Sequence, residues 1–369
     1  MKILHVASFR GNIGDNASHL GFYSILNRLS KDHSVEKIEI RNFYKNYKNS
    51  DKRIFDEEFI SYLNKFDVTI VGGGGFLDYW VPGSHTGATF DIDPYLISAI
   101  KKPTLFTSMG CNPQKSVPEG NVEKFKRFLE EVRGNDNTSI AVRNDGSLKA
   151  IEQDFGKEFL TDIVEILDHG FFYHPSYYGA DLVNKDYVAI NIVNDQLDMR
   201  SSLKGVGSKK SYLEQLKYIV MYVVTHLNLD ILFVPHIYSD LKAISDFLEI
   251  LDDSLVRKHI TVAPCVQGDG GADYIFSLYR HSEFVLGTRL HANICSIAME
   301  KKSIGLAALD RVEYLYRSLG IENRTVKLSG GFGETVTNML SGDDFYESRK
   351  LDDLRKVTVE YYENALGSL

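Results

Sequence analysis

Apolar positions along this chain alternate between two rhythms. Short apolar-rich runs at Ile3–Ala7, Val35–Ile40, Phe66–Val71, Thr104–Thr107 and Ser139–Val142 read as strands, the first of them buried on both faces. Between them, apolar residues recur every three or four positions, as the inward set Leu20, Tyr23, Ile25 and Leu26 does. That spacing predicts helices at 16–29, 94–100, 122–132 and 147–155. Strand, polar or glycine loop, then helix, repeated, is the pattern of a doubly wound parallel α/β domain. The rhythm breaks at Asp168–Gly179, a stretch of aromatics and turn formers where a domain junction is expected. It restarts with strands at Tyr187–Val193, Asp230–Pro235, Ile260–Ala263, Phe284–Leu286 and Ser303–Leu306. Helices are predicted at 211–226, after Asp240, at 272–279 and at 288–300. The expectation is therefore two doubly wound, Rossmann-like domains facing a cleft, 1–180 and 181–369. Leu351, Leu354, Tyr361 and Ala365 mark a C-terminal helix, a candidate to pack back on the first domain. The halves repeat in architecture only.

Composition narrows the partners. A chain of 369 residues suits two domains, and 43% hydrophobic with 25% charged residues is ordinary for a soluble globular protein. The net charge of −8 argues against a general nucleic-acid binder, while leaving room for a local basic pocket. Cys111, Cys265 and Cys295 are far apart, which fits a reducing compartment and suggests no metal site. The apolar N-terminal run is too short for a signal peptide, and none approaches a membrane span. A cytoplasmic protein is expected, with peripheral contact at the inner membrane face left open. No cofactor is expected, and oligomeric state is not legible.

The residues that promise chemistry lie where strands end. Ser282–Glu300 runs from an apolar strand through Gly287 into a helix. Thr288 is a good N-cap, which would make Arg289, Leu290 and His291 the first helical residues. At a first helical turn, Arg289, His291 and free backbone N–H groups could converge on one anion. Arg143 likewise leaves a strand into a helix start and is a second candidate anion clamp, with a salt bridge to Asp145 or a helix terminus as the alternative. Gly72–Gly75 lets the backbone approach either a ligand or a neighbouring loop, so Gly74 and Gly75 are candidates on the donor side. The loop Gly11–Asp15 is not a dinucleotide fingerprint. Its Asn12 and Asp15 suit either substrate hydroxyls or helix capping. His236 leaves a strand near Asp240 and is a candidate cleft residue, whereas His5 reads as a core histidine. The basic aromatic stretch 41–53 suits a glycan or an anionic headgroup, and is more often simply solvated. On residues alone the chain suggests a transferase for an anionic donor and a polar acceptor.

Taken in order, these segments resemble the polysaccharide pyruvyl transferases. The resemblance rests on Gly11–Asp15, Thr69–Phe76, Ser108–Pro113, Val142–Ser147 and, most sharply, Val285–Ala292. Asp310–Leu315 and Leu319-Gly320 follow, with Asp168, Val234–His236 and Asp240 fitting less closely. Together they cover roughly residues 1 to 320. The resemblance implies a fold similar to the B-type glycosyltransferases. It also implies phosphoenolpyruvate as donor, a hydroxyl pair on a saccharide or lipid-linked oligosaccharide as acceptor, and a pyruvyl ketal as product. His291 would then be the general acid/base and Arg289 a donor ligand, with Thr288, Arg143, Gly74 and Gly75 on the donor side. Asn12, Asp15 and His236 would face the acceptor or the cleft. The chain departs from the family pattern at Arg311, where Lys is frequent, and at Cys111-Asn112. Two alternatives stand beside this reading: a nucleotide-sugar glycosyltransferase on the same architecture, and a non-catalytic glycan-binding relative.

Overall fold

The computed structural model describes residues 1–29, 32–176, 182–197, 208–342, 345 and 348–367. Tyr177 to Gly179 of the aromatic break, and the expected boundary at 180, lie outside them. The chain forms two compact units. Met1–Phe9, Tyr23–His169 and Asp352–Leu369 make the first, Arg10–Phe22 and Gly170–Leu351 the second. Against a simple division into halves, residues 10–22 group with the second unit and the C-terminal segment with the first.

The first unit holds strands β1 (Lys2–Ala7), β2 (Ser34–Glu39), β3 (Val68–Gly74), β4 (Thr104–Met109), β5 (Thr138–Arg143) and β6 (Ile163–Ile166). They form one sheet in the order β2-β1-β3-β4-β5-β6, every pair parallel. Such a sheet is covered on both faces, and the apolar runs supply both layers of contacts. Phe106, Phe125, Phe128 and Phe155 are among its buried core residues. The C-terminal helix, Leu351–Leu366, docks on this unit through polar contacts. Tyr362 hydroxyl lies 2.6 Å from His169 Nε2 and 2.5 Å from Thr107 Oγ1. The Leu167 amide donates to Thr358 Oγ1.

The second unit holds β7 (Tyr187–Asn191), β8 (Asp230–Phe233), β9 (Ile260–Val262), β10 (Phe284–Gly287), β11 (Lys302–Ala307) and β12 (Thr325–Lys327). Their order is β12-β11-β10-β7-β8-β9, again parallel throughout. The chain winds outward from β7 to β9, then returns to the other side of β7 as β10. The β7/β10 pair is therefore the switch point of this sheet, and the carboxyl ends of such strands are where open α/β sheets bind ligands.

Three expectations need correction. The helix expected from residue 16 starts at Ile13, because Asn12 caps it: its Oδ1 accepts from the Gly14 amide at 3.0 Å. Pro94–Ala99 is a 3-10 helix rather than an α-helix. The helix expected from Thr288 runs only Leu290–Ala298, with Arg289 at the N-cap in an extended conformation. Thr288 does not cap it. Its hydroxyl and amide both donate to the Asn191 carbonyl of β7, at 2.9 and 3.2 Å.

Candidate functional site

The site grows from the switch point of the second sheet. Asn191 ends β7, is fully buried, and is fixed by donating to the Val234 carbonyl. Its Oδ1 accepts from the Arg289 amide at 2.9 Å. One side chain thus ties the turn after β10 to the end of β7. The Asn293 side chain donates to the carbonyls of Gly287 and Arg289, holding the same turn from the helix side. The helix that follows is buried at every position from Leu290 to Ala298, so the turn has little freedom to shift.

Arg289 does not fold over its own helix end. Its Nε donates to Asp240 Oδ2 at 2.8 Å and its Nη2 to Asp240 Oδ1 at 2.5 Å, a bidentate pair. Nη2 also donates to Asp195 Oδ1 at 3.0 Å. Burial by itself would lower the guanidinium pKa, but hydrogen bonding and charge from Asp240, then Asp195, raise it instead. Asp240 has a second duty: its Oδ2 accepts the backbone amides of His236 and Ile237, capping the helix Tyr238–Leu248. Among the described residues, Nη1 of Arg289 has no acceptor.

His291 is the second residue of the central helix and is 6% exposed. The first turn of the helix Ile13–Leu29 lies against it so closely that a Cβ at Gly14 would stand 2.5 Å from His291 Nδ1. That contact is the physical reason for glycine at position 14. The Ile13 amide donates to the His236 carbonyl at 3.4 Å, and Asn16 Nδ2 donates to Asp269 Oδ1 at 2.9 Å. Gln267 Nε2 also donates to the His236 carbonyl, at 3.1 Å. Sequence reasoning missed Asp195, Asn191 and Gln267, polar residues that match no motif. Asn191 did carry one signal, an amide side chain inside an otherwise apolar run.

The other expected site residues are placed as follows. His236 is completely buried, with Nε2 at 2.8 Å from the Tyr279 hydroxyl. Burial, then the neighbouring Arg289 and His291, push its pKa well down, so the ring is neutral. Asn12 caps the helix Ile13–Leu29, and its Nδ2 donates to Asp15 Oδ1 at 3.0 Å. In the first unit, Arg143 is 3% exposed and held by Asp145 at 2.6 Å and Asp168 at 3.3 Å. Burial opposes its charge and the two carboxylates more than offset that, so its pKa rises. The alternative given for Arg143, a salt bridge with Asp145, is the arrangement found. The glycine run at the end of β3 has close-packing reasons. A Cβ at Gly72 would stand 1.8 Å from the Thr107 carbonyl oxygen, and one at Gly74 would strike the ring of Phe76. Gly75 follows directly at the end of this strand. No group of His, Cys, Asp and Glu among the described residues is arranged to hold a metal.

Two parallel six-stranded sheets with flanking helices define a two-domain, Rossmann-like α/β protein of the type seen in B-type glycosyltransferases and sugar-nucleotide epimerases. The model of the polysaccharide pyruvyl transferase family matches residues 12–310, and the chain belongs to that family. No curated protein matches it in sequence. Among solved structures, UDP-GlcNAc 2-epimerase from Methanocaldococcus jannaschii superposes with a TM-score of 0.57 at 12% identity, covering 98% of this chain and 100% of that one. UDP-GlcNAc 2-epimerase from Neisseria meningitidis does so at 0.54 and 11%, covering 99% and 100%. Spinosyn rhamnosyltransferase SpnG gives 0.51 and 12%, with both chains covered completely. At these identities the likeness is one of fold. Among the described residues no helix is long and apolar enough to cross a membrane.

Proposed function

We propose that this protein transfers the pyruvyl group of phosphoenolpyruvate to two hydroxyls of a saccharide, on a polysaccharide or a lipid-linked precursor, forming a pyruvate ketal. The observation that carries the reading is the pairing of Arg289 and His291 at the β7/β10 switch point, in a chain of this family. The chemistry balances as follows. The first hydroxyl adds to C2 of the enol phosphate, losing its proton, while C3 gains a proton and becomes a methyl group. The second hydroxyl then displaces phosphate from C2 and loses its proton in turn. The product keeps the carboxylate.

His291 is suited to the proton transfers, since one imidazole can accept from a hydroxyl and donate to carbon near neutral pH. The free Nη1 edge of Arg289 is suited to the donor's carboxylate or phosphate oxygens, which a planar guanidinium matches in charge and geometry. Gly14 lets the first turn of the Ile13–Leu29 helix cover the imidazole, limiting access of water.

The test is release of inorganic phosphate. Release should require phosphoenolpyruvate and a diol-bearing saccharide together, with a carboxylated ketal as the other product. His291→Ala should slow it by about 10²- to 10⁴-fold, the usual worth of a general acid–base group. Turnover without phosphoenolpyruvate, or undiminished turnover in His291→Ala, defeats the reading.

A further inference from the structure

Arg289 meets two carboxylates in unlike settings. The Asp240 side chain is completely buried and has four uses: two guanidinium N–H groups and the two amides it caps. The Asp195 side chain is 38% exposed and touches the same guanidinium through a single bond at 3.0 Å. Removing one partner of a buried pair is strongly unfavourable, because it strands a charge away from water. Releasing an exposed carboxylate into solvent costs little. The difference decides which partner is fixed and which is exchangeable.

With both carboxylates bound, one cation faces two anions, a formal charge of −1 at the place where an anionic donor should bind. An incoming anion meets the Nη1 edge first. The adjacent Nη2 hydrogen, which would complete a bidentate grip, is taken by Asp195. We propose that Asp195 is a resident carboxylate that holds the second anion seat on Arg289, and that the donor's carboxylate or phosphate displaces it. Asp240 is then the positioning residue that keeps the guanidinium aimed while the exchange occurs. The inference rests on the reading of Arg289 as the donor ligand. It adds that donor affinity is set below its maximum by this chain's own side chain. An anion with two oxygens in one plane matches the guanidinium edge in charge and geometry, as water and small neutral molecules do not.

The experiment is calorimetric titration of the full-length protein and Asp195→Asn with phosphoenolpyruvate and, separately, with inorganic phosphate. Asp195→Asn should bind the anion about five-fold more tightly, the equivalent of the ~1 kcal/mol of an exposed ion pair. The gain should shrink as salt screens the exposed charge. Equal or weaker binding by Asp195→Asn would overturn the inference, because it would make Asp195 a support of the cation. If phosphate binding tightens but phosphoenolpyruvate binds neither protein, the exchange stands and the donor assignment falls. If phosphoenolpyruvate binds both alike, the donor assignment stands and the exchange falls. Should neither anion bind either protein, the exchange falls as well.

Discussion

At the scale of single residues, the site depends on close approach more than on the number of charged groups. Gly14 is the clearest case. A methyl group there would stand 2.5 Å from His291 Nδ1, so Gly14→Ala must move either the imidazole or the helix turn above it. Overpacking of this kind costs about 1–3 kcal/mol. The expected outcome is a modest fall in melting temperature with a much larger fall in kcat, and unfolding scans run beside phosphate-release assays check it. Activity that falls only in step with folded protein would mean that the contact is packing alone. The glycine was visible in the sequence, but its reason was not. Gly14 and His291 are 277 positions apart, and only the fold brings them together. The same holds for Arg289, whose motif was legible while its partners Asp195 and Asp240 lie in a turn and in the first turn of another helix.

At the scale of elements, two consequences can be measured. Asp240 caps the helix Tyr238–Leu248 and anchors Arg289 at once. Asp240→Asn keeps the shape and removes the charge, leaving the guanidinium without its buried counterion. A loss of roughly 3–5 kcal/mol is expected, to be read from denaturant midpoints. A change below about 1 kcal/mol would show that the pair is better solvated than its burial implies. The edge strand β6 carries Glu165, whose pKa is lifted from 4.5 to about 7 by burial and then by the charge of Asp145. The folded state therefore holds this proton more tightly than the unfolded chain. Its contribution to stability is complete at low pH and is lost as pH rises from about 4.5 through 7. Glu165→Gln should be neutral near pH 4 and stabilising by about 1–2 kcal/mol near pH 8, after allowance for the group's partial exposure. Melting temperatures across that range test it, and an equal effect at both ends would rule out Glu165 as the titrating group. The core strands of both sheets were readable because their apolar runs are unbroken. Of the edge strands, β2 and β9 were read from the sequence, while the short β6 and β12 were not.

At the scale of the whole molecule, neither unit is a continuous piece of chain. The first is completed by the C-terminal helix, whose Tyr362 hydroxyl reaches His169 and Thr107. Tyr362→Phe leaves those buried groups short of a partner and should cost about 1–3 kcal/mol, measurable by chemical unfolding. A fragment of residues 1–169 lacks that helix altogether. It is expected to expose the seat of Tyr362 and bind a hydrophobic dye that the intact chain does not. A fragment that unfolds with the cooperativity of the intact protein would show the helix to be an accessory.

What the sequence determined by itself was local in origin. Unbroken apolar runs and helical spacing specify the kind of element, and their alternation specifies parallel sheets. A strand running through glycine into Arg-Leu-His was enough to mark where chemistry should be sought. Tertiary structure alone decided strand order, and with it the β7/β10 switch point beneath that motif. It decided how each Arg is held: Arg143 by Asp145 and Asp168, Arg289 by Asp240 and Asp195. It decided that Thr288 braces β7 instead of capping a helix. The physical reason is common to all three. Propensity and periodicity act over a turn or a strand, whereas hydrogen bonds and ion pairs depend on which distant segments the packed sheets bring within about 3 Å of one another.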